Sequence, residues 1–199
     1  KCELITLPET SVEGRVCHAV RIGTLPAHVQ DTFCIIGGVH AREWGSCEIL
    51  VNLATDLLEA HTAGTGLTYG GKSYTAAEVK GLVEGFNWVI FPLVNPDGRR
   101  YSQTTEPMWR KNRNPRDSGG DPEKVGVDLN RNHDFLWDFA TTMHPSSSPA
   151  SDDPSSDVYH GNAAYSEPET RNVRWLLDQF PRARWFMDVH SYSELILYN

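Results

Sequence analysis

Nothing in this chain approaches the roughly 18 consecutive apolar residues that a membrane-spanning helix needs, so no transmembrane segment is expected. Asn-x-Ser/Thr sequons are absent, and so is any Cys-x-x-Cys pair among Cys2, Cys17, Cys34 and Cys47. That spacing excludes zinc knuckles and thioredoxin-like redox motifs. It leaves the cysteines as small, partly buried side chains, or as one or two disulfides if the protein is exported. Basic residues are outnumbered: 18 Lys and Arg stand against 26 Asp and Glu, for a formal net charge of -8. The average field repels phosphates, so nucleic acid is not an expected partner. The chain starts at Lys1 without an initiator Met or a signal-peptide apolar region, which reads as a product processed, trimmed or cut from something longer. No internal repeat is visible, and 199 residues suffice for one domain with a substantial core.

What is present is an alternation of strand and helix signals. Residues 3 to 7 and 15 to 22 look extended and are separated by turn chemistry from Pro8 to Gly14, so a hairpin is expected. The apolar run from Phe33 to Val39 reads as a buried strand. A helix follows from about Ser46, with Ile49, Leu50, Leu53, Ala54, Leu57 and Leu58 recurring at period 3.6. Residues 62 to 74 read as loop, and Thr75-Ala-Ala-Glu78 is a capping-box pattern ahead of Val79, Leu82 and Val83. Trp88 to Val94 is another buried strand, ended by Asn95-Pro96-Asp97-Gly98. From there to about Gly126 the chain is poor in apolar residues, a long loop of the kind that is usually functional or disordered. Residues 141 to 157 form a second, low-complexity surface loop. Ser166-Glu-Pro-Glu169 repeats the capping-box pattern before Val173, Leu176, Leu177 and Phe180, and Trp185 to Val189 and Leu195 to Tyr198 close the chain as strands. The class is α/β, a mixed, largely parallel β-sheet flanked by helices.

The candidate chemistry begins at Gly38 to Trp44. Two glycines, Gly37 and Gly38, end a strand, and His40 and Glu43 follow from one tight turn, where an imidazole and a carboxylate can reach a single cation. Taken alone, His-x-x-Glu is a weak pattern in a chain with 8 His and 26 acidic residues. His190 supplies a third donor at the exit of another apolar run. In open α/β sheets ligands gather outside the carboxyl ends of strands, so the three residues make a two-histidine, one-carboxylate zinc site geometrically plausible.

Six stretches, in order along the chain, resemble those of the zinc carboxypeptidases of the pancreatic carboxypeptidase A type, the M14 metallopeptidase family. They are His-Ala-Arg-Glu-Trp at 40 to 44, Asn-Pro-Asp-Gly at 95 to 98, Met-Trp-Arg-Lys-Asn-Arg at 108 to 113, Gly-Val-Asp-Leu-Asn-Arg-Asn at 126 to 132, Tyr-His-Gly at 159 to 161 and His-Ser-Tyr-Ser at 190 to 193. The resemblance implies one Zn²⁺ per chain on His40, Glu43 and His190, with Asp128 orienting the first histidine. It implies that Asn130 and Arg131 hold the terminal carboxylate of a peptide or protein substrate, for which a guanidinium fork is the fitting device. Arg113 would polarise the scissile carbonyl and stabilise the oxyanion, and Arg42 and Arg110 would contact the peptide further along. The implied function is hydrolysis of the C-terminal peptide bond by zinc-activated water, in a monomer that is secreted or otherwise extracytoplasmic.

The resemblance also has gaps. The family's general-base Glu and its mobile Tyr lie beyond Asn199, the helix before the first strand is missing, and Glu194 matches a different family position. Residues 1 to 199 are therefore expected to form a partial zinc carboxypeptidase catalytic domain, truncated at both ends and inactive on its own. Side-chain specificity is not readable from this portion. Two alternatives stand beside this reading: an amidohydrolase of the same superfamily acting on small acyl amino acids, and a non-catalytic peptide-binding relative. Asp97 and Asp134 read as turn or loop acids, the remaining histidines as structural or surface groups, and Arg99, Arg100 and Arg116 as candidates for a solvated loop.

Overall fold

The computed structural model describes residues 2–144, 148–191 and 194–198. In chain order the elements are β1 (Cys2–Thr10), β2 (Val16–Ile22), β3 (Thr32–Gly37), α1 (Trp44–Ala63), β4 (Leu67–Tyr69), β5 (Lys72–Tyr74), α2 (Ala76–Gly85), β6 (Asn87–Phe91), α3 (Pro96–Thr104), α4 (Phe139–Thr142), α5 (Pro168–Gln179) and β7 (Ala183–Val189). Short 3₁₀ turns at Pro122–Lys124 and Leu129–Arg131 interrupt the long segment between α3 and α4.

The main sheet runs β1-β2-β6-β3-β7. It is α/β and mixed, as expected: β1, β2 and β6 pair antiparallel, while β6, β3 and β7 are parallel. Side-chain alternation along β3 feeds two cores. Cys34 and Ile36 join Ala19, Val89 and Phe91 under α5, whose Val173 and Leu176, with Phe180 at its end, cover that face. Ile35 points the other way and joins Ile22 and Ile90 against Leu50, Ala54 and Leu57 of α1 and Val79 and Val83 of α2. The helical stripes read from period 3.6 are thus the buried faces, except that Ile49 is 54% exposed. α2 starts with the predicted capping box, Thr75 and Glu78 bonding each other's backbone N–H.

Four local expectations are corrected. Residues 62 to 74 are not all loop, because Gly70 and Gly71, both at positive φ, close a small hairpin between β4 and β5. The stretch after Asn95 opens with α3, which Asn95 caps through Gly98 N–H and Pro96 starts. α3 has no apolar stripe, so periodicity gave no sign of it. Ser166 is not a helix cap: Glu167 holds the N-cap position of α5 without a side-chain capping bond, and Glu169 is buried elsewhere. Leu195 to Tyr198 form no strand and are exposed. Tyr192 and Ser193, in the last of the six motifs, lie outside the described residues.

One acid also differs from expectation. Asp97 is fully buried, accepting hydrogen bonds from Ser11 Oγ (2.6 Å), Glu13 N (2.8 Å) and Arg15 Nη1 (2.5 Å), so it ties α3 to the β1–β2 turn. Asp128, between Val127 and Leu129, caps a 3₁₀ turn, and all three residues are buried. The four cysteines are free thiols, three of them buried.

Candidate metal centre

β3 delivers His40 through a turn that tolerates little change. Gly38 has φ 65°, and a Cβ there would lie 2.7 Å from Cys47 Sγ, so both conformation and space require glycine. Ser46 Oγ accepts from Gly38 N (3.0 Å) and donates to Glu43 O (2.8 Å), which binds the strand exit to the start of α1. The buried Asn95 amide donates to Val39 O and Lys111 O, and Ala41 N donates to Arg110 O. Glu43 occupies the N-cap position of α1 but makes no side-chain capping bond; its carboxylate is turned to the histidines instead. β7 lies parallel to β3 with Gly37 opposite Val189, so His190 leaves the sheet at the same end.

The three side chains meet at one point. Glu43 Oε1 lies 2.7 Å from His40 Nδ1, Glu43 Oε2 lies 2.7 Å from His190 Nδ1, and the two Nδ1 atoms are 3.1 Å apart. Among the described residues this is the group of His and acidic side chains whose ligand atoms, all within 4.8 Å of one another, suit a metal ion. Each imidazole turns its other nitrogen to a carboxylate: His40 Nε2 to Asp128 Oδ1 at 3.1 Å, and His190 Nε2 to Asp188 Oδ2 at 3.0 Å. That arrangement leaves both Nδ1 atoms to face the shared point, as metal-ligating histidines require. The donor set of two nitrogens and a carboxylate fits zinc.

The electrostatics favour positive charge at this point, carried by a proton on His190 or by a metal ion that displaces it. Asp188 and then Glu43, as hydrogen-bond acceptors, push His190 up to about 10. Burial alone would raise the Glu43 carboxyl, but the bonds from His190 and His40 outweigh it and hold the group far below its ordinary range. Asp128 behaves alike: burial opposes its charge, and His40 and Arg110 restore it to a net lowering. The centre opens into a cleft of about 730 Å³ lined also by Asn130, Ser191, Glu194 and Leu195.

The remaining predicted residues are spread around this cleft. Asp128 is fully buried, takes Arg110 Nε and Nη2 at 3.1 and 2.9 Å, and is held in place by its own N–H donating to Tyr159 O. Arg110 also brings Nη1 to 3.3 Å from His40 Nδ1. Asn130 lines the cleft, whereas Arg131 borders an adjoining 250 Å³ cavity and donates to Pro149 O and Asn130 O. Arg42 donates to Met108 O and pairs with Asp157 outside the cleft. Arg113 is not among the lining residues: its guanidinium packs 3.7 Å from the Tyr101 ring and 4.5 Å from the Trp109 ring. Of the other basic residues in that stretch, Lys111 is buried with Nζ on Pro154 O, and Arg99 and Arg116 pair with Glu48 and Glu167. Asp188 was not singled out by sequence reasoning. The signal was its i, i+2 spacing from His190 on a strand, which puts both on one face.

An α/β sheet with two histidines and a carboxylate at adjacent strand exits defines a candidate metal centre, and comparison with known proteins narrows the class. Residues 2–199 match the zinc carboxypeptidase family, peptidase M14. The chain belongs to that family. It is 34% identical over 191 residues to a carboxypeptidase B of Helicoverpa zea, covering 94% of this chain and 39% of that protein. It is 35% identical over 196 residues to an inactive metallocarboxypeptidase, ecm14, of Talaromyces marneffei, covering 94% of this chain and 29% of that one. Among solved structures, a carboxypeptidase A of Helicoverpa armigera superposes with a TM-score of 0.76 at 27% identity, over 99% of this chain and 42% of its own. The chain thus spans well under half the length of these relatives. The family is zinc-dependent, and the group of His40, Glu43 and His190 resembles a zinc site.

Proposed function

We propose that residues 1 to 199 carry the metal centre and part of the substrate cradle of a metallocarboxypeptidase, a partial catalytic domain whose complete form hydrolyses the C-terminal peptide bond of peptides and proteins. The observation that carries this reading is the convergence of His40 Nδ1, His190 Nδ1 and Glu43 at the floor of an open cleft. A zinc ion held by these three residues supplies Lewis-acid polarisation and lowers the pKa of a water to about 7. Asp128, itself fixed by Arg110 and by Asn130 N–H, keeps the His40 ring oriented. Asn130 and Arg131 are the groups to read a terminal carboxylate. The two carbonyls that Arg131 now serves are weaker acceptors than a carboxylate, which a guanidinium grips with two charge-assisted bonds. Arg42 is proposed to meet the peptide further from its end. Oxyanion stabilisation falls to Arg113 if its guanidinium leaves the Tyr101 and Trp109 rings, or to Arg110, which already stands beside His40.

An extracytoplasmic setting and a monomeric state are proposed with the family reading. No helix among the described residues is long and apolar enough to cross a membrane. The test is peptide hydrolysis by the full-length protein. One C-terminal residue should be released per cleavage, release should stop with a chelator and return with Zn²⁺, and C-terminally amidated peptides should be refused until Arg131 is replaced by Ala. Turnover indifferent to chelator would sink the proposal. The second reading, a peptide-binding relative without turnover, is favoured by the similarity to an inactive metallocarboxypeptidase. Zinc binding and peptide binding without product would decide for it.

A further inference from the structure

We propose that Asp188 is a positioning residue that holds the His190 ring to the metal, doing for the second histidine what Asp128 does for the first. This rests on the metal-centre reading above. Residues two apart on a strand project to one face, so β7 brings Asp188 and His190 out together, and Asp188 Oδ2 meets His190 Nε2 at 3.0 Å. The opposite ring atom, Nδ1, then faces Glu43 Oε2 and His40 Nδ1.

The two histidines are supported differently, which is why this contact matters. The His40 side chain is 3% exposed, in a packed turn, whereas that of His190 is 30% exposed at the end of an edge strand. Packing and Asp128 together fix the His40 ring; for His190 the hydrogen bond it donates to Asp188 must supply much of the orientation. The two acids differ as well. Asp128 shares its charge with Arg110 and the Asn130 N–H. Asp188 bonds neither Arg nor Lys among the described residues, and its Oδ1 is buried without a hydrogen-bond partner. Its hydrogen bond goes to His190, although His133 also feels its charge; that bond fixes the Nε2–H tautomer and makes Nδ1 a stronger electron-pair donor.

The test measures Zn²⁺ affinity of the full-length protein by competition with a chromophoric chelator, together with thermal midpoints with and without metal. Asp188→Asn should weaken zinc by roughly 10–100-fold. The rise in midpoint induced by zinc should shrink with the affinity. Asp188→Ser should repeat the loss of affinity, and Asp188→Glu should recover part of it. Substituted with Co²⁺, Asp188→Asn should show a displaced visible absorption band. Unchanged affinity and band in Asp188→Asn, with zinc bound tightly by the parent chain, would overturn the role of Asp188 alone. No zinc binding by the parent chain would overturn the metal-centre reading, and this inference with it.

Discussion

His40 and His190 bring their Nδ1 atoms to 3.1 Å although 150 residues separate them in sequence. Local sequence sets each histidine's turn and ring contacts, but it does not bring the two together. They meet because β3 and β7 are adjacent and parallel, with Ile36 opposite Asp188 and Gly37 opposite Val189. A slip of one residue between these strands would turn His190 to the other face of the sheet. The candidate metal centre is therefore a readout of register, and its integrity reports on the fold of the parallel half of the sheet.

Gly38 should be the most sensitive position near the centre that is not itself a ligand. Gly38→Ala puts a Cβ 2.7 Å from Cys47 Sγ and 3.0 Å from Leu93 Cδ1, at a φ of 65°. The strained backbone and the overpacking together should cost about 2–4 kcal/mol. Urea unfolding should show the loss, and zinc titration should show weaker binding, because the turn carries both His40 and Glu43. A variant with parental midpoint and parental affinity would mean that the turn relaxes freely.

Asp97→Ala should destabilise the chain by roughly 2–4 kcal/mol, since three donors, one of them a guanidinium, lose a fully buried carboxylate. The site is far in the sequence from its partners in the β1–β2 turn. Chemical denaturation is the measurement, and a loss below about 1 kcal/mol would show that water replaces the carboxylate at little cost.

Glu169 supplies a pH dependence. Burial pushes its carboxyl up to about 7, and its Oε1 has no hydrogen-bond partner. A folded-state value above the unfolded one means that the proton favours the folded state. That contribution is complete below the unfolded value near 4.5 and is lost as pH rises through about 7. Glu169→Gln keeps the acceptor for Asn112 Nδ2 and cannot ionise. It should raise stability at pH 8 by on the order of 1–3 kcal/mol and leave it nearly unchanged at pH 4. Equal effects at the two pH values would show that Glu169 keeps the same charge state across this range.

Binary pattern makes much of the fold legible in the sequence. The Phe33 run, the Leu50–Ala54–Leu57 stripe and the Thr75 capping box each encode a local choice that packing then ratifies. His40, Glu43 and His190 were legible because they sit at strand exits. What stayed hidden depends on partners distant in sequence. Asp97 looked like a turn acid because Ser11 and Arg15 lie more than 80 residues away. Ser166-Glu-Pro-Glu169 looked like a capping box because the pattern cannot reveal that Glu167 and Glu169 are buried against Asn112. Helix α3 escaped because a polar helix held by Asn95 and Asp97 leaves no apolar period to read.

The two guanidiniums of the 108 to 113 stretch offer the sharpest division of labour. Arg113 lies on Tyr101 and Trp109, rings that also pack edge to face at 5.1 Å. Such a partly desolvated cation–π arrangement contributes about 1–2 kcal/mol, so Arg113→Ala should lower the thermal midpoint of the 199-residue chain and leave zinc affinity alone. Arg110 holds the fully buried Asp128 by two charge-assisted bonds. Without it, Asp128 is an uncompensated buried charge and a poorly held partner of His40, so Arg110→Ala should weaken zinc by roughly 10–100-fold. Turnover of the full-length protein then separates the chemical roles. Loss of a donor to the developing oxyanion costs about 10²–10³ in kcat, and the residue responsible should show it at saturating zinc. If Arg113→Ala shows that loss with KM unchanged, its guanidinium swings from the aromatic pair to the substrate during the reaction. If only Arg110→Ala shows it, Arg113 is a packing residue in this protein and the oxyanion is met by the guanidinium already 3.3 Å from His40.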